Sequence, residues 1–341
     1  MTDLDLARLS NDLLFGAVVL YSLAMLGFAA EFSFGRRTGT LAAPSTAPDD
    51  GSRRARRVAA RRAAGHTPAG AIGKLAVALT FVGWATHVGS VVTRGLAGHR
   101  VPWGNMYEFA VMISLTAVTA FLVLLNRQGV RSLGAFVLAP VVLYLGVAGT
   151  ILYTDVAPLV PALNSYWLKI HTTAAIGSSG VFIVAAAVSA VYLVKARWES
   201  QQVAVSMGPG AASTMELAPV RGITPQSSRR GGIMRQLPSA AALDRTAYRL
   251  IAFAFPIWTF AIMAGAVWAE AAWGRYWGWD PKETWSFITW VVYAGYLHSR
   301  ATAGWKGSRA AKVSLVAFAC LTVDFICVNI WITGLHSYAG V

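Results

Sequence analysis

The chain has 341 residues, 56% of them hydrophobic and only 13% charged, with a formal net charge of +14. That composition is too apolar for a water-soluble domain of this length, and its long apolar runs define an all-α polytopic membrane protein. The positive charge lies in the connections between those runs rather than on one basic face, which argues against a nucleic-acid partner.

Eight transmembrane spans are predicted in chain order, over 12–34, 72–94, 104–126, 132–153, 166–196, 247–272, 285–301 and 312–334. Each is close to the ~20 residues that cross a hydrocarbon core. The first is read as a retained span, because the chain opens on the acidic Met1-Thr2-Asp3-Leu4-Asp5 and no small-residue cleavage site follows the apolar stretch. Residues 1–71 therefore comprise a first span and a basic linker rich in Ala, Arg, Pro and Gly, which also holds His66. Spans two to five occupy 72–198, a disordered linker rich in Ser, Gly and Pro occupies 199–243, and 244–341 carries spans six to eight. With eight crossings, at least 22 of the 29 basic residues fall on one side, and the positive-inside rule makes that side cytoplasmic. Both termini are then outside, and so is the loop between the sixth and seventh spans.

That external loop and the residues after it are the most unusual part of the chain. Trp273-Gly274-Arg275-Tyr276-Trp277-Gly278-Trp279-Asp280-Pro281-Lys282-Glu283-Thr284-Trp285 places four of the 13 tryptophans within one short stretch. Indoles interleaved with glycine and charge read as a flat platform for a planar, apolar guest with a charged edge. Asp280 followed by Pro281 and Glu283 reads as a helix start, with a capping carboxylate, proline in the first helical position and a reciprocal glutamate. Trp273, Trp277, Trp279 and Trp285 would lie against the guest, with Asp280 in the same loop, while Arg275 and Lys282 suit its carboxylates.

Five of six histidines lie in or beside the membrane, where imidazole is costly and requires a reason. Neutral imidazole is a preferred ligand for haem iron. His171 near the outer end of the fifth span and His336 after the eighth both reach the tryptophan-rich loop, and read as an axial pair. His87 and His298, each inside a span, read as a second pair deeper in the bundle, although His87 falls in the outer half of its span and His298 near the cytoplasmic end of its own. Asp324, in the middle of the last span, is either functional or hydrogen-bonded within the bundle. Glu108 and Glu270 sit at outer span ends and need no special role, and His99 either meets a substrate or is solvated. Cys320 and Cys327 lie on one face of the last span and read as small core residues; the chain has no CxxC dithiol.

Together, the tryptophan-rich segment, Tyr296-Leu297-His298, Gly334-Leu335-His336-Ser337-Tyr338, the upstream Gly98-His99-Arg100-Val101-Pro102-Trp103-Gly104-Asn105-Met106-Tyr107-Glu108 and Ile170-His171 resemble the WWD family of haem-handling cytochrome c biogenesis proteins. The similarity covers roughly 72–341 and lies nearest the CcsA/ResC-type subunits of the system II cytochrome c synthase. The resemblance implies a bacterial plasma-membrane protein with its site on the extracytoplasmic face. It implies haem b as the transported substrate, His171 and His336 as external iron ligands, and His87 and His298 as transmembrane ones. It also implies a CcsB/ResB-type membrane subunit, apocytochrome c and extracytoplasmic thiol-reducing proteins as partners, and covalent haem attachment at Cys-x-x-Cys-His as the reaction. Two other readings stay open at this stage. A b-type membrane cytochrome with permanent haem would show reversible quinol-linked reduction. An organic-cation transporter with an indole cage would show no haem Soret band.

Overall fold

The computed structural model describes residues 1–34, 68–128, 130–158, 163–207, 234–302 and 304–336. The expectations for His66, for Ser337 and Tyr338, and for most of the two linkers lie outside the described residues. Among those residues every regular element is helical: α1 Asp3–Phe34, α2 Pro68–Ala97, α3 Met106–Gln128, α4 Gly134–Thr150, α5 Tyr166–Met207, α6 Ala240–Trp273, α7 Pro281–Ala301 and α8 Ser308–Trp331. Hydrocarbon leaves backbone groups no water to bond, and helices satisfy them within the segment. Seven of the eight are long and apolar enough to cross a membrane. The exception is α7, which has 21 residues and carries Lys282, Glu283, His298 and Arg300.

Several helices extend beyond their predicted spans for local reasons. α1 starts at Asp3 because Thr2 and Asp5 cap it reciprocally: the Asp5 carboxylate accepts from the Thr2 N–H at 2.9 Å, and the Thr2 hydroxyl from the Asp5 N–H at 3.2 Å. α5 runs to Met207, past the predicted end at 196, and α6 begins at Ala240 behind a Ser239 cap. α4 is entered through a 3₁₀ turn at Arg131–Leu133, and α8 contains a π-turn at Val323–Cys327.

α5 is the central element, its apolar window 78% buried against 28% for that of α1. It packs along α6 and against α3 and α8, while α1 pairs with α2 and α7 with α8. Polar contacts sort the helix ends into two layers. At one end Arg94 of α2 donates to Thr154 O beyond α4, His99 pairs with Asp3 of α1, and Leu335 beyond α8 bonds Asp280 before α7. At the other end Glu31 of α1 pairs with Arg131 before α4, Lys195 of α5 donates to Met234 O, and Arg300 of α7 pairs with Asp244 of α6. The helices therefore alternate in direction, and Asp3 and His336 lie at the same end.

That end is braced by Glu108. Its carboxylate, 2% exposed as a residue, accepts from Arg94 Nε at 2.9 Å, from Arg100 Nη1 at 2.6 Å and from the Gly104 N–H at 2.8 Å. One buried acid thus ties α2, the 98–104 loop and α3 together. Glu108→Ala leaves two guanidinium groups without their counter-charge and should cost about 3–5 kcal/mol. Thermal unfolding of the purified protein in detergent measures this as a large drop in Tm, and an unchanged Tm would remove Glu108 from the brace.

Candidate functional site

The braced end contains a cavity of about 900 Å³, a figure that includes the open solvent at its mouth. Its upper wall holds His171, Trp268, Trp273, Tyr276, Trp277 and His336. The lining continues down α5 to Ile183, twelve residues past His171, which corresponds to about 18 Å along the helix. Lower on its walls are Tyr144, Trp258 and Phe325, so the space is mainly apolar, with Lys282, Glu283 and Asp324 as charged members. A second, smaller cavity of about 530 Å³ adjoins it from the side of Trp103 and Met106 and shares His171, Trp268, Lys282 and His336.

Each imidazole on this wall is anchored through Nδ1. His171 Nδ1 lies 2.8 Å from Ala261 O on α6; a carbonyl only accepts, so the proton is on Nδ1 and the lone pair on Nε2. The approach is close enough that a Cβ at Gly265 would stand 2.7 Å from His171 Nδ1, so glycine is required there. His336 Nδ1 lies 2.7 Å from Asp280 Oδ2, which fixes the same tautomer. This is the arrangement that orients metal-binding imidazoles, the second ring nitrogen donating to a carbonyl or carboxylate. Trp268 stands between the two, stacked on His171 at a centroid distance of 6.1 Å and 14°, and edge-on to His336 at 5.8 Å. Trp273 closes the other side of His336 at 5.0 Å.

The loop that carries these rings is shaped by its own sequence. α6 ends on Gly274 at φ 69°, a left-handed cap that glycine adopts without strain, and the Gly274 N–H returns to Glu270 O. Glu283 accepts from the N–H groups of Gly278 and Asp280 at 2.8 and 3.1 Å, while Asp280 caps α7 in return. Trp279 sits at φ 58°, unusual for a bulky residue, and is 64% exposed, its ring edge-on to Trp277 and Phe287.

The sequence candidates therefore separate. Trp273, Trp277, Lys282, His171 and His336 line the cavity, and Asp280 touches it through His336. Arg275 turns toward Glu283 at 3.6 Å, outside the lining. Trp285 is half-buried on α7, and Trp279 projects outward. His87 and His298 are not among the residues lining this cavity: His87 is fully buried, its Nδ1 3.3 Å from Tyr21 Oη, and His298 is exposed near the end of α7. His99 is also exposed. Trp268, the ring between the two anchored imidazoles, is not distinguished by sequence reasoning, because it looks like any apolar residue of α6. Its nearness in the chain to Trp273 is the one signal that points to it.

Fold and site together define a polytopic helical membrane protein with two anchored imidazoles over an indole-lined cavity at one end of the bundle. Residues 103–336 match the cytochrome C assembly protein family. The chain is 35% identical over 289 residues to the cytochrome c biogenesis protein CcsA of Synechococcus elongatus, covering 79% of this chain and 87% of that one. It is 36% identical over 296 residues to CcsA of Gloeobacter violaceus, covering 78% and 85%. The solved structure of the cytochrome c heme lyase CcmF shares the fold at a TM-score of 0.54 and 16% identity, over 99% of this chain and 51% of that chain. The chain belongs to the cytochrome C assembly protein family.

The His336–Asp280 pair gives the site a pH signature. Burial holds the His336 imidazole below its ordinary value against the opposing pull of Asp280. Burial raises the Asp280 carboxyl, but the bonds from His336 and Leu335 outweigh it and leave it below the ordinary value. Below about pH 6.5 the unfolded imidazole takes up a proton that the folded one resists, so stability falls as pH falls, and Asp280 adds to the loss at lower pH. Thermal unfolding between about pH 7 and pH 5 should show this decline, flattened in His336→Ala. An identical pH profile for that variant would refute the assignment.

Proposed function

We propose that this member of a cytochrome c maturation family holds haem b at the cavity and presents it for covalent attachment to apocytochrome c. The reading rests on one observation: two imidazoles, each anchored through Nδ1, face one indole-lined cavity with Trp268 between them. His171 and His336 supply Nε2 to the iron, and the indoles pack on the ring. The macrocycle's apolar body matches the lining, and its charged edge calls for Lys282. The functional end is extracytoplasmic, a reading that the distribution of basic residues supports.

In this reading the protein contributes position and the reactivity belongs to haem and thiols. Each thiol of a Cys-x-x-Cys-His segment adds across a vinyl group, sulfur bonding one carbon and hydrogen the other, so no leaving group is needed. The segment's histidine replaces one protein ligand, and the product leaves. The chain has no CxxC of its own, and Cys320 and Cys327 are both on α8, so reduced client thiols depend on separate thiol-reducing proteins. A CcsB/ResB-type membrane subunit is the expected partner. The elongated cavity below the imidazoles offers haem a way within the bundle; enclosed His87 and exposed His298 are the candidate ligands along that route.

His171→Ala and His336→Ala should each lose the Soret band and abolish holocytochrome formation, with partial return on added imidazole. Asp280→Ala, which keeps both histidines in the chain but removes the anchor that places His336, should weaken haem binding about tenfold or more. Full activity of unsupplemented His336→Ala would rule out the ligand role.

A further inference from the structure

Below the two imidazoles the same cavity carries a polar set that iron ligation leaves unused. Lys282 reaches inward from the first turn of α7, its Nζ donating to Asn329 Oδ1 at 2.8 Å beside Met106 Sδ at 3.7 Å. Asp324 of α8 lines the cavity while only 5% exposed, and among the described residues its Oδ1 has no hydrogen-bond partner. Lys282 and Asp324 feel each other's charge, but the ammonium is bonded to Asn329. The π-turn at Val323–Cys327 contains Asp324, and Asn329 is held there by donating to Phe325 O. Such turns interrupt a helix at a cost and recur at functional sites.

A buried carboxylate oxygen without a donor is expensive, so an occupant that supplies one is favoured. The occupant must also accept from Lys282. A carboxylic acid meets both needs, its O–H donating to Asp324 and its carbonyl accepting from the ammonium. One proton between two carboxyls leaves a single negative charge against one ammonium, a neutral set suited to burial. An amine offers no acceptor beside its charge, and a phosphate brings more negative charge than Lys282 offsets. Asp280 is committed to His336 and Leu335, and Arg275 lies outside the lining, its nearest charge being Glu283 at 3.6 Å.

We propose that Lys282, Asn329 and Asp324 form a seat for one carboxyl group, and that a propionic acid side chain of haem occupies it. The inference rests on the haem reading above and adds an orientation to it. Haem carries its propionates on one edge and its vinyl groups toward the other. Seating a propionate inward turns the vinyl-bearing edge outward, toward the exposed Tyr276 of the lining, where client thiols would approach.

The test uses the full chain purified in detergent, titrated with haem b and with haem b dimethyl ester and followed by the Soret band. Wild type should bind the free acid about tenfold or more tightly than the diester, and Lys282→Met and Asp324→Leu should bring the two forms within about twofold. Equal affinity for both forms in wild type overturns the seat, and so does undiminished preference in both variants. If either variant fails to fold, the wild-type comparison still decides. A wild type with no Soret band for either form sinks the haem reading itself, a distinct outcome. Excess oleate should leave haem bound; displacement of haem by oleate would assign the seat to a lipid carboxyl instead.

Discussion

The carboxylate of Asp280 ties together the three chain segments on which the site depends. Oδ1 accepts the Leu335 N–H at 2.7 Å, and Oδ2 accepts from His336 Nδ1 at 2.7 Å and from the Lys282 N–H at 3.4 Å. A helix N-terminus presents unsatisfied donors and a positive dipole end, which makes it a favourable place for a carboxylate. Here the capping residue also holds the chain beyond α8, bringing His336 from a remote part of the sequence onto the wall that already carries His171. Its hydrogen bonds join the α6–α7 loop to the end of α8.

The second constraint is the polarity of the cavity. A mainly apolar space beneath the imidazoles keeps the dielectric low, so its few polar groups carry unusual weight. Trp258 Nε1 and Asp324 Oδ1 both belong to lining residues and both lack hydrogen-bond partners among the described residues. Buried polar groups in native proteins are nearly always satisfied, and exceptions gathered in one cavity mark where an occupant completes the bonding. The Glu108 brace shows the contrasting case. There two guanidinium groups and a backbone N–H complete one buried acid, and the result is structural rigidity at the same end of the bundle.

Much of the site was legible because local rules govern it. Asp280, Pro281 and Glu283 announce a capped helix wherever they occur, and the structure contains that capping box. The tryptophan-rich loop stands out for its indoles interleaved with glycine and charge, and the histidines beside it because imidazole is costly in or beside a membrane. Glu108 illustrates a limit: as a sequence position it looks like an ordinary span-end acid, and its importance comes from Arg94 and Arg100, whose side chains converge only after α2, the loop and α3 pack. Trp268 illustrates another, since an indole inside an apolar helix has no local feature that distinguishes packing from presentation.

By itself the sequence determined the helical membrane architecture, since apolar runs of spanning length have no other way to satisfy their backbones in lipid. It also determined the chemistry-bearing loop, through four tryptophans interleaved with glycine and charge in one short external stretch. Only the tertiary structure decided which of these residues meet. It put His171 and His336 on one wall, buried His87 while leaving His298 exposed, turned Arg275 away and Lys282 inward, and gave Asp324 a cavity to face. Depth along a span follows from counting residues, but rotation about each helix axis is set by packing against its neighbours, and rotation decides what a side chain faces.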